Sequence, residues 1–220
     1  MPLHTNYRFA RLRALFSTAT CGCALVVAGF FSSAVSAITL PELQQQLATQ
    51  SLVRGDFELV RTMEMFSAPL QSAGHFLLAE QQGLHWQQTS PFPVSLVLTK
   101  NKLSQQFGDN APQVVAADDN PMVFYFSHVF LSLFKGDTGQ LNEQFDIALA
   151  NTEENRWQLV LTPKSAPLNA VFQTIRLSGN EFIEQLTLTE IRGDVTDITF
   201  TNQRTAPVEL TIEEQRAFQL

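Results

Sequence analysis

Residues 55–93 read GDFELVRTMEMFSAPLQSAGHFLLAEQQGLHWQQTSPFP, and the pattern in this stretch decides how the rest of the chain is read. Phe57, Leu59 and Arg61 alternate with Glu58, Val60 and Thr62, the period of two that sends successive side chains to opposite faces of a strand. In Gly74-His75-Phe76-Leu77-Leu78 apolar residues fall on both alternating sets. A sheet wetted on one side needs apolar residues only on the other, so this surplus points to bound lipid. Turn signals at Ser67-Ala68-Pro69, at Glu80-Gln81-Gln82-Gly83 and at Ser90-Pro91 separate the strands at the spacing of an antiparallel meander. Val94, Leu96 and Leu98 alternate with Ser95, Val97 and Thr99, and Lys102 to Phe107 forms a further strand after a turn at Lys100-Asn101. Successive antiparallel strands with no helix between them predict a curved sheet or open barrel.

The flanks fit that frame. Thr39-Leu40-Pro41-Glu42 is a capping box, with Leu40, Leu43 and Leu47 following at helical spacing, so a first helix is expected from Leu40 to about Gln50. Ala116 to Pro121 reads as the start of a second helix. From Met122 to Phe134 the chain is apolar almost all round, Ser127 and His128 excepted. A helix of that composition cannot lie on the surface and is too short to span a bilayer, so it belongs against the concave face of the sheet. Lys135-Gly136-Asp137 closes it. Strands are then expected at Gln144 to Ala150, Trp157 to Thr162, Ala170 to Ser178, Glu181 to Glu190 and Val195 to Asn202, with Gly179-Asn180 as a two-residue hairpin. Thr211-Ile212-Glu213-Glu214 is a second capping box and predicts a short final helix through Phe218. The fold class is mainly β (α+β): an incomplete antiparallel β-barrel with helices covering its open concave side.

The first 37 residues read differently. Arg8, Arg11 and Arg13 precede an apolar run around Leu25 to Phe31 and the small-residue site Ala34-Val35-Ser36-Ala37, the pattern of a secretory signal peptide cleaved after Ala37. Cleavage would leave residues 38–220 as a single domain. Neither Cys21 nor Cys23 has a Leu three residues before it, as a lipoprotein signal would require; Thr18 and Thr20 stand there. Both cysteines fall inside the segment, so disulfides and thiolate metal sites are excluded from the remainder. All 21 acidic residues follow position 37 and three of the 14 basic ones precede it, leaving eleven bases against 21 acids and a net charge of −10. Such a surface repels nucleic acid and anionic headgroups and suits a soluble monomer. After position 37, fourteen Phe against the single Tyr125 supply apolar area without hydroxyls that need partners, which serves an acyl-chain cavity and an ordinary core alike.

Catalytic patterns are missing. No nucleophile elbow, zinc-protease helix, phosphate loop or dinucleotide fingerprint occurs. A turn near Gln81-Gln82 pairs His75 with about residue 88, away from His85, and leaves the two without a third metal ligand. Ser127 and His128 are adjacent and, on a helix, point about 100° apart. Asp118-Asp119, Glu153-Glu154 and Glu213-Glu214 sit beside turns or helix starts and read as solvated caps rather than acid–base pairs. No enzyme, cofactor or metal is expected.

The pattern Gly-x-Phe-x-x-x-Arg, then Pro-Leu-x-Ser-x-Gly-x-Phe, then Gly-Leu-x-Trp and Pro, resembles periplasmic lipoprotein carriers of the LolA type. The run 156–164, RWQLVLTPK, is similar to that family's strand ending in Leu-x-Pro-Lys, and 172–177, 186–190 and 193–200 to its closing strands. The resemblance implies a periplasmic carrier of lipid-modified proteins, loaded by an inner-membrane exporter and unloaded to an outer-membrane acceptor. Two positions depart from the pattern: Glu80 stands where the carriers have a basic residue that helps hold the lid closed, and Leu59 where a Gln is usual. Another lipid cargo, such as a glycolipid or polyene–lipid intermediate, is therefore also open. The expected acyl-binding residues are Phe57, Leu59, Phe76, Leu78, Trp86, Leu96 and Leu98 from the sheet and Phe126, Phe130 and Leu133 from the helix. Two other classes compete: a periplasmic scaffold or assembly factor that docks its apolar face on a protein partner, and a lipid-acting hydrolase or transferase.

Overall fold

The computed structural model describes residues 38–119, 125, 128–129, 131–132, 134–135, 137–151 and 156–220. Helix α1 (Leu40–Ala48) starts where its capping box places it: the Glu42 carboxylate accepts from the Thr39 N–H at 2.8 Å and from its hydroxyl at 2.7 Å. Six strands follow in a meander, β1 (Leu52–Thr62), β2 (Leu70–Ala79), β3 (Gly83–Ser90), β4 (Val94–Leu98), β5 (Lys102–Phe107) and β6 (Gln113–Ala116). The described residues between 125 and 135 are helical, and α2 (Thr138–Gln144) leads into β7 (Phe145–Asn151). A second meander, β8 (Trp157–Pro163), β9 (Phe172–Gly179), β10 (Ile183–Glu190) and β11 (Val195–Arg204), precedes α3 (Ile212–Ala217).

All eleven strands form one antiparallel sheet in the order β6-β5-β4-β3-β2-β1-β11-β10-β9-β8-β7. Every neighbour is a sequence neighbour except β1 and β11, whose pairing sets Phe57 opposite Phe200 and Leu59 opposite Ile198. This one non-local ladder joins the two meanders. β6 and β7 are its edges, so the barrel is incomplete, as expected. The sheet bends at a bulge between Arg54 and Asp56, where the ring of Phe76 lies over Gly55 so closely that a Cβ there would sit 2.6 Å from it.

Three expectations are corrected. Gly179 pairs with Ile183, so the hairpin there has three residues, 180–182, rather than two. β6 and α2 add to the expected elements, Gln113–Ala116 being too short to show a period and α2, TGQLNEQ, being polar, and α2 takes Gln144, so that β7 starts one residue later than expected. The third concerns the apolar surplus. Phe76 and Leu78 join the inner core, whereas Leu77 lies on the outer face with Leu52, Ala79 and Val97, and Phe218 just beyond α3 caps that second cluster. The C-terminal segment thus accounts for the second greasy face, and no lipid is needed there.

Candidate functional site: the inner face of the sheet

Alternation carries one side chain in two from each strand onto the inner face, and the register lines them up across the sheet. Leu59, Ile198, Leu186, Leu177, Leu159 and Leu149 form one such row, running β1-β11-β10-β9-β8-β7. All seven strand residues expected to line the site belong to or pack on this core. Phe57 is 1% exposed, and Phe76, Leu78 and Leu98 are also buried; Leu59, Trp86 and Leu96 are partly open. Phe126, Phe130 and Leu133 lie outside the described residues.

Aromatic rings make the centre. Phe57 stacks on Trp86 with centroids 3.6 Å apart, and Phe76 and Trp86 meet Phe200 edge-on at 5.2 and 6.3 Å. Phe134, from the helical stretch, is edge-on to Phe200 at 5.7 Å. Leu131 is buried in the same cluster, with Tyr125, Val129 and Phe134 packed against it and Leu43 and Leu47 of α1 alongside. Helices therefore plug the concave face. Between Phe76, Leu78, Phe134 and α1 only about 20 Å³ stays open, and a neighbouring space under Glu80, Phe134 and Lys135 holds about 10 Å³. Each is room for about one water.

Polar groups enter this face at one end, where the register sets Arg61 and the buried Thr196 in line with Leu188 and Arg61 Nη2 donates to Glu190 at 2.8 Å and to Asp194 at 3.4 Å. His128 Nε2 contacts the Lys100 carbonyl oxygen at 3.1 Å, and Tyr125 donates to Gln144. Ser127, the other half of the sequence-level candidate, is outside the described residues. On the outer face, His75 pairs with Gln87, one residue from the expected partner, and both His75 and His85 line an open groove of about 510 Å³ beside Arg54 and α3. His75 Nδ1 lies 2.6 Å from Asp56 Oδ1, and Asn202 donates to Asp56 Oδ2 at 2.7 Å; these bonds hold the Asp56 carboxyl below its ordinary range. Burial alone lowers the pKa of His85. Among the described residues no group of three or more His, Cys, Asp or Glu could hold a metal.

Glu214 does more than cap a helix in water. Its two oxygens accept from Arg54 Nε at 2.5 Å and Nη2 at 2.7 Å, while the guanidinium also donates to the carbonyls of Pro207 and Glu209. Arg54 is buried, and the pair draws the Glu214 pKa down to about 2.

The inner-face residues that the sequence list missed are Phe200, Ile198 and the row behind them, all on the second meander. Their alternation is as clear as that of Phe57 and Leu59. What a single sequence does not contain is the β1–β11 ladder that brings them opposite.

A greasy concave face, covered by helices within an open antiparallel sheet, is the ground on which comparison with known proteins stands. Residues 48–211 match the model of the family described as outer membrane lipoprotein carrier protein LolA. The chain belongs to the LolA family. Solved structures similar to this LolA-family chain include a LolA superfamily protein from Nitrosomonas europaea, at 9% identity and TM-score 0.44, covering 80% of this chain and 97% of that one. Another is a putative outer membrane lipoprotein-sorting protein domain from Vibrio parahaemolyticus, at 7% identity and TM-score 0.46, with coverages of 81% and 96%. The Pseudomonas aeruginosa MucA/MucB complex is matched at 15% identity and TM-score 0.43, over 75% of this chain and 56% of that one. No curated protein matches by sequence. Among the described residues no helix is long and apolar enough to cross a membrane.

Proposed function

We propose that this protein is a periplasmic carrier that holds the acyl chains of lipoproteins, or of a related lipid, against the inner face of its sheet and shuttles them from the inner toward the outer membrane. The observation that carries the reading is the aromatic and aliphatic inner face covered by a separate, apolar helical segment, in a chain whose residues 48–211 match a carrier family. Phe57, Leu59, Phe76, Leu78, Trp86, Leu96 and Leu98 are the strand residues that contact cargo, and Phe126, Phe130 and Leu133 join them from the helix. Residues 1–37 act as the removable export signal, and residues 38–220 are the carrier domain. An inner-membrane exporter loads it and an outer-membrane acceptor unloads it; no cofactor or catalytic step is involved.

The two spaces beside Phe134, of about 20 and 10 Å³, are too small for an acyl chain, and on this reading cargo enters there by displacing the helical residues around Phe134. The exchange is nearly isoenergetic per contact: each CH₂ buried contributes about 0.8 kcal/mol, and the displaced side chains give up a similar sum. Moderate net affinity follows, which a protein that must release its cargo needs.

The test is lipid extraction of the protein purified from its native host, with mass spectrometry of the extract. Near one lipid per protein supports carriage and names the cargo class. A lipid-free preparation whose melting temperature does not move on adding acyl lipid overturns it.

A further inference from the structure

The inner face carries a polar pair at the seam between the two meanders. The register sets Arg61, Thr196, Leu188, Ile175, Leu161 and Ile147 in one row from β1 through β11 to β7, and the last four belong to or pack on the apolar core. Only the two at the β1–β11 junction are polar. Both face inward, since Arg61 stands two positions beyond Leu59 and Thr196 two before Ile198, on strands whose side chains alternate.

Arg61 crosses a strand to reach its partners. Glu190 lies on β10, two positions past the Leu188 that pairs with Thr196, and Arg61 Nη2 donates to Glu190 at 2.8 Å and to Asp194 at 3.4 Å. The guanidinium therefore runs over β11 at the level of Asp194 and Thr196. The turn that presents the two carboxylates is itself held. Glu190 N–H donates to the Asp194 carbonyl at 2.8 Å and Gly193 N–H to the Glu190 carbonyl at 3.1 Å. Gly193, at φ +90°, lies against the Glu64 carboxylate, where a Cβ would fall 2.4 Å from Oε1.

Two hydrogen-bonding groups are left over in this corner. Arg61 Nε is the one buried side-chain nitrogen or oxygen among the described residues that has no hydrogen-bond partner. Thr196 is 7% exposed, and its hydroxyl makes no hydrogen bond to a described residue. A donor that bulk water does not reach and the protein leaves unpaired is costly, and it calls for an acceptor. The corner is also accessible: Leu70, the β2 partner of Arg61, is 53% exposed, whereas Val53, Leu78 and Leu98 at the other end of the sheet are buried.

We propose that Arg61 and Thr196 form a headgroup station at the open end of the inner face, where Arg61 Nε–H and the Thr196 hydroxyl donate to the uncharged ester or amide carbonyl at the head of an acyl chain. The proposal rests on the carrier reading and names the class of cargo. The hydrocarbon then lies along Leu59, Leu188 and Ile198, with its head at the corner. Charge selects a neutral head. Glu64, Glu190 and Asp194 stand against Arg61 and the exposed Arg192, so the corner is net negative, and the Arg61 guanidinium is already matched by two carboxylates. A free carboxylate or a phosphate here meets like charge and gains no counter-ion, whereas a carbonyl needs only a donor.

The experiment is displacement of a fluorescent fatty acid from the purified protein by three ligands of one chain length, monolauroylglycerol, N-lauroylethanolamine and laurate, with the arginine Nε–H signals followed by NMR in the same titrations. Wild type is expected to bind the neutral ligands about tenfold tighter than laurate, the order of one hydrogen bond from a charged donor. One arginine Nε–H signal, absent in Arg61→Lys, is expected to shift as they bind. The preference shown by the ester alone assigns the head as an acylglycerol, and by the amide alone as an N-acyl group; either supports the station. Thr196→Val removes the hydroxyl and leaves the ion pairs of Arg61 in place, while Arg61→Lys keeps a charge beside Glu190 without an Nε–H. Each is expected to bring the preference below about threefold with laurate affinity unchanged. A merely structural role would move all three ligands alike. Equal binding of the three ligands by wild type, or a preference that survives both substitutions, overturns the station and leaves the carrier reading standing. So does an Arg61 signal that stays in place while lipid binds, since Nε is then satisfied by water alone. If neither the fluorescent fatty acid nor any of the three ligands binds, the carrier reading fails and the station fails with it.

Discussion

Replacing Glu214 with Ala should cost about 3 kcal/mol, and the cost should depend on pH in a defined window. The substitution strands Arg54, 7% exposed at its side chain, with two carbonyl partners and no counter-charge. Breaking a fully buried ion pair costs about 3–5 kcal/mol. Glu214 is 21% exposed, so water reaches the pair, and about 2 kcal/mol is the appropriate share. Loss of the bond from Thr211 N–H to the carboxylate, 2.8 Å long, adds about 0.5–1 kcal/mol as half of a capping box. For a chain of this size the melting temperature falls by about 6–12 °C. Glu214 titrates near 2 when folded against an ordinary 4.5, so the unfolded state takes up its proton first as pH drops. The stabilisation is complete above pH 4.5 and is lost progressively down to pH 2. Urea denaturation of wild type and variant should therefore show a gap at pH 7 that closes between pH 4.5 and 2. In a double-mutant cycle with Arg54→Met, the two changes should fall short of additivity by about 1.5–2 kcal/mol. A gap below 0.5 kcal/mol at pH 7, or one that persists unchanged to pH 2, would refute the reasoning.

Three further outcomes are expected. His85 is half buried and its protonation is disfavoured by desolvation, so wild-type stability should decline as pH falls below 6.5; melting curves from pH 7 to 5 should flatten in His85→Gln, above the window of Glu214. Gly83 has φ +128°, and a Cβ there would lie 1.9 Å from the Leu98 carbonyl oxygen; Gly83→Ala should cost upwards of about 2 kcal/mol, visible as loss of soluble protein and a lowered melting point. Phe134→Ala removes the ring edge-on to Phe200 and should lower stability by about 2–3 kcal/mol while raising affinity for a fluorescent fatty acid, since less must be displaced. A matching fall in affinity would count against entry by displacement.

The strands were legible because their alternation is local: Phe57, Leu59, Trp86 and Leu98 announce their face within their own segments, and both capping boxes mark helix starts within four residues. What stayed hidden was non-local. No local signal pairs Phe57 with Phe200, 143 positions later, or brings Arg54 to Glu214, so half of the inner face and the ion pair under α3 were absent from the reading. Leu77 misled for the same reason. Its apolar neighbours on the outer face look like surplus until Phe218, at the far end of the chain, is set on them.

That correction separates the two greasy faces by the way each is covered. Phe218 and α3 close the outer face, and the Arg54–Glu214 pair locks them down with directional, charge-assisted bonds that no hydrocarbon replaces. Over the inner face, Leu131, Val129 and Phe134 meet Phe200, Trp86 and their neighbours through dispersion and area burial, terms that are non-directional, and the polar contacts given for the same stretch, His128 to the Lys100 carbonyl and Tyr125 to Gln144, include no guanidinium–carboxylate pair. An acyl chain supplies those same terms in their place, whereas at the outer face it would leave a buried guanidinium without its partner. On the carrier reading, the chemistry of the two covers makes the inner face the exchangeable one and the outer face the permanent one. Glu214→Ala should consequently loosen the outer cover and leave fatty-acid binding intact, while Phe134→Ala should do the reverse.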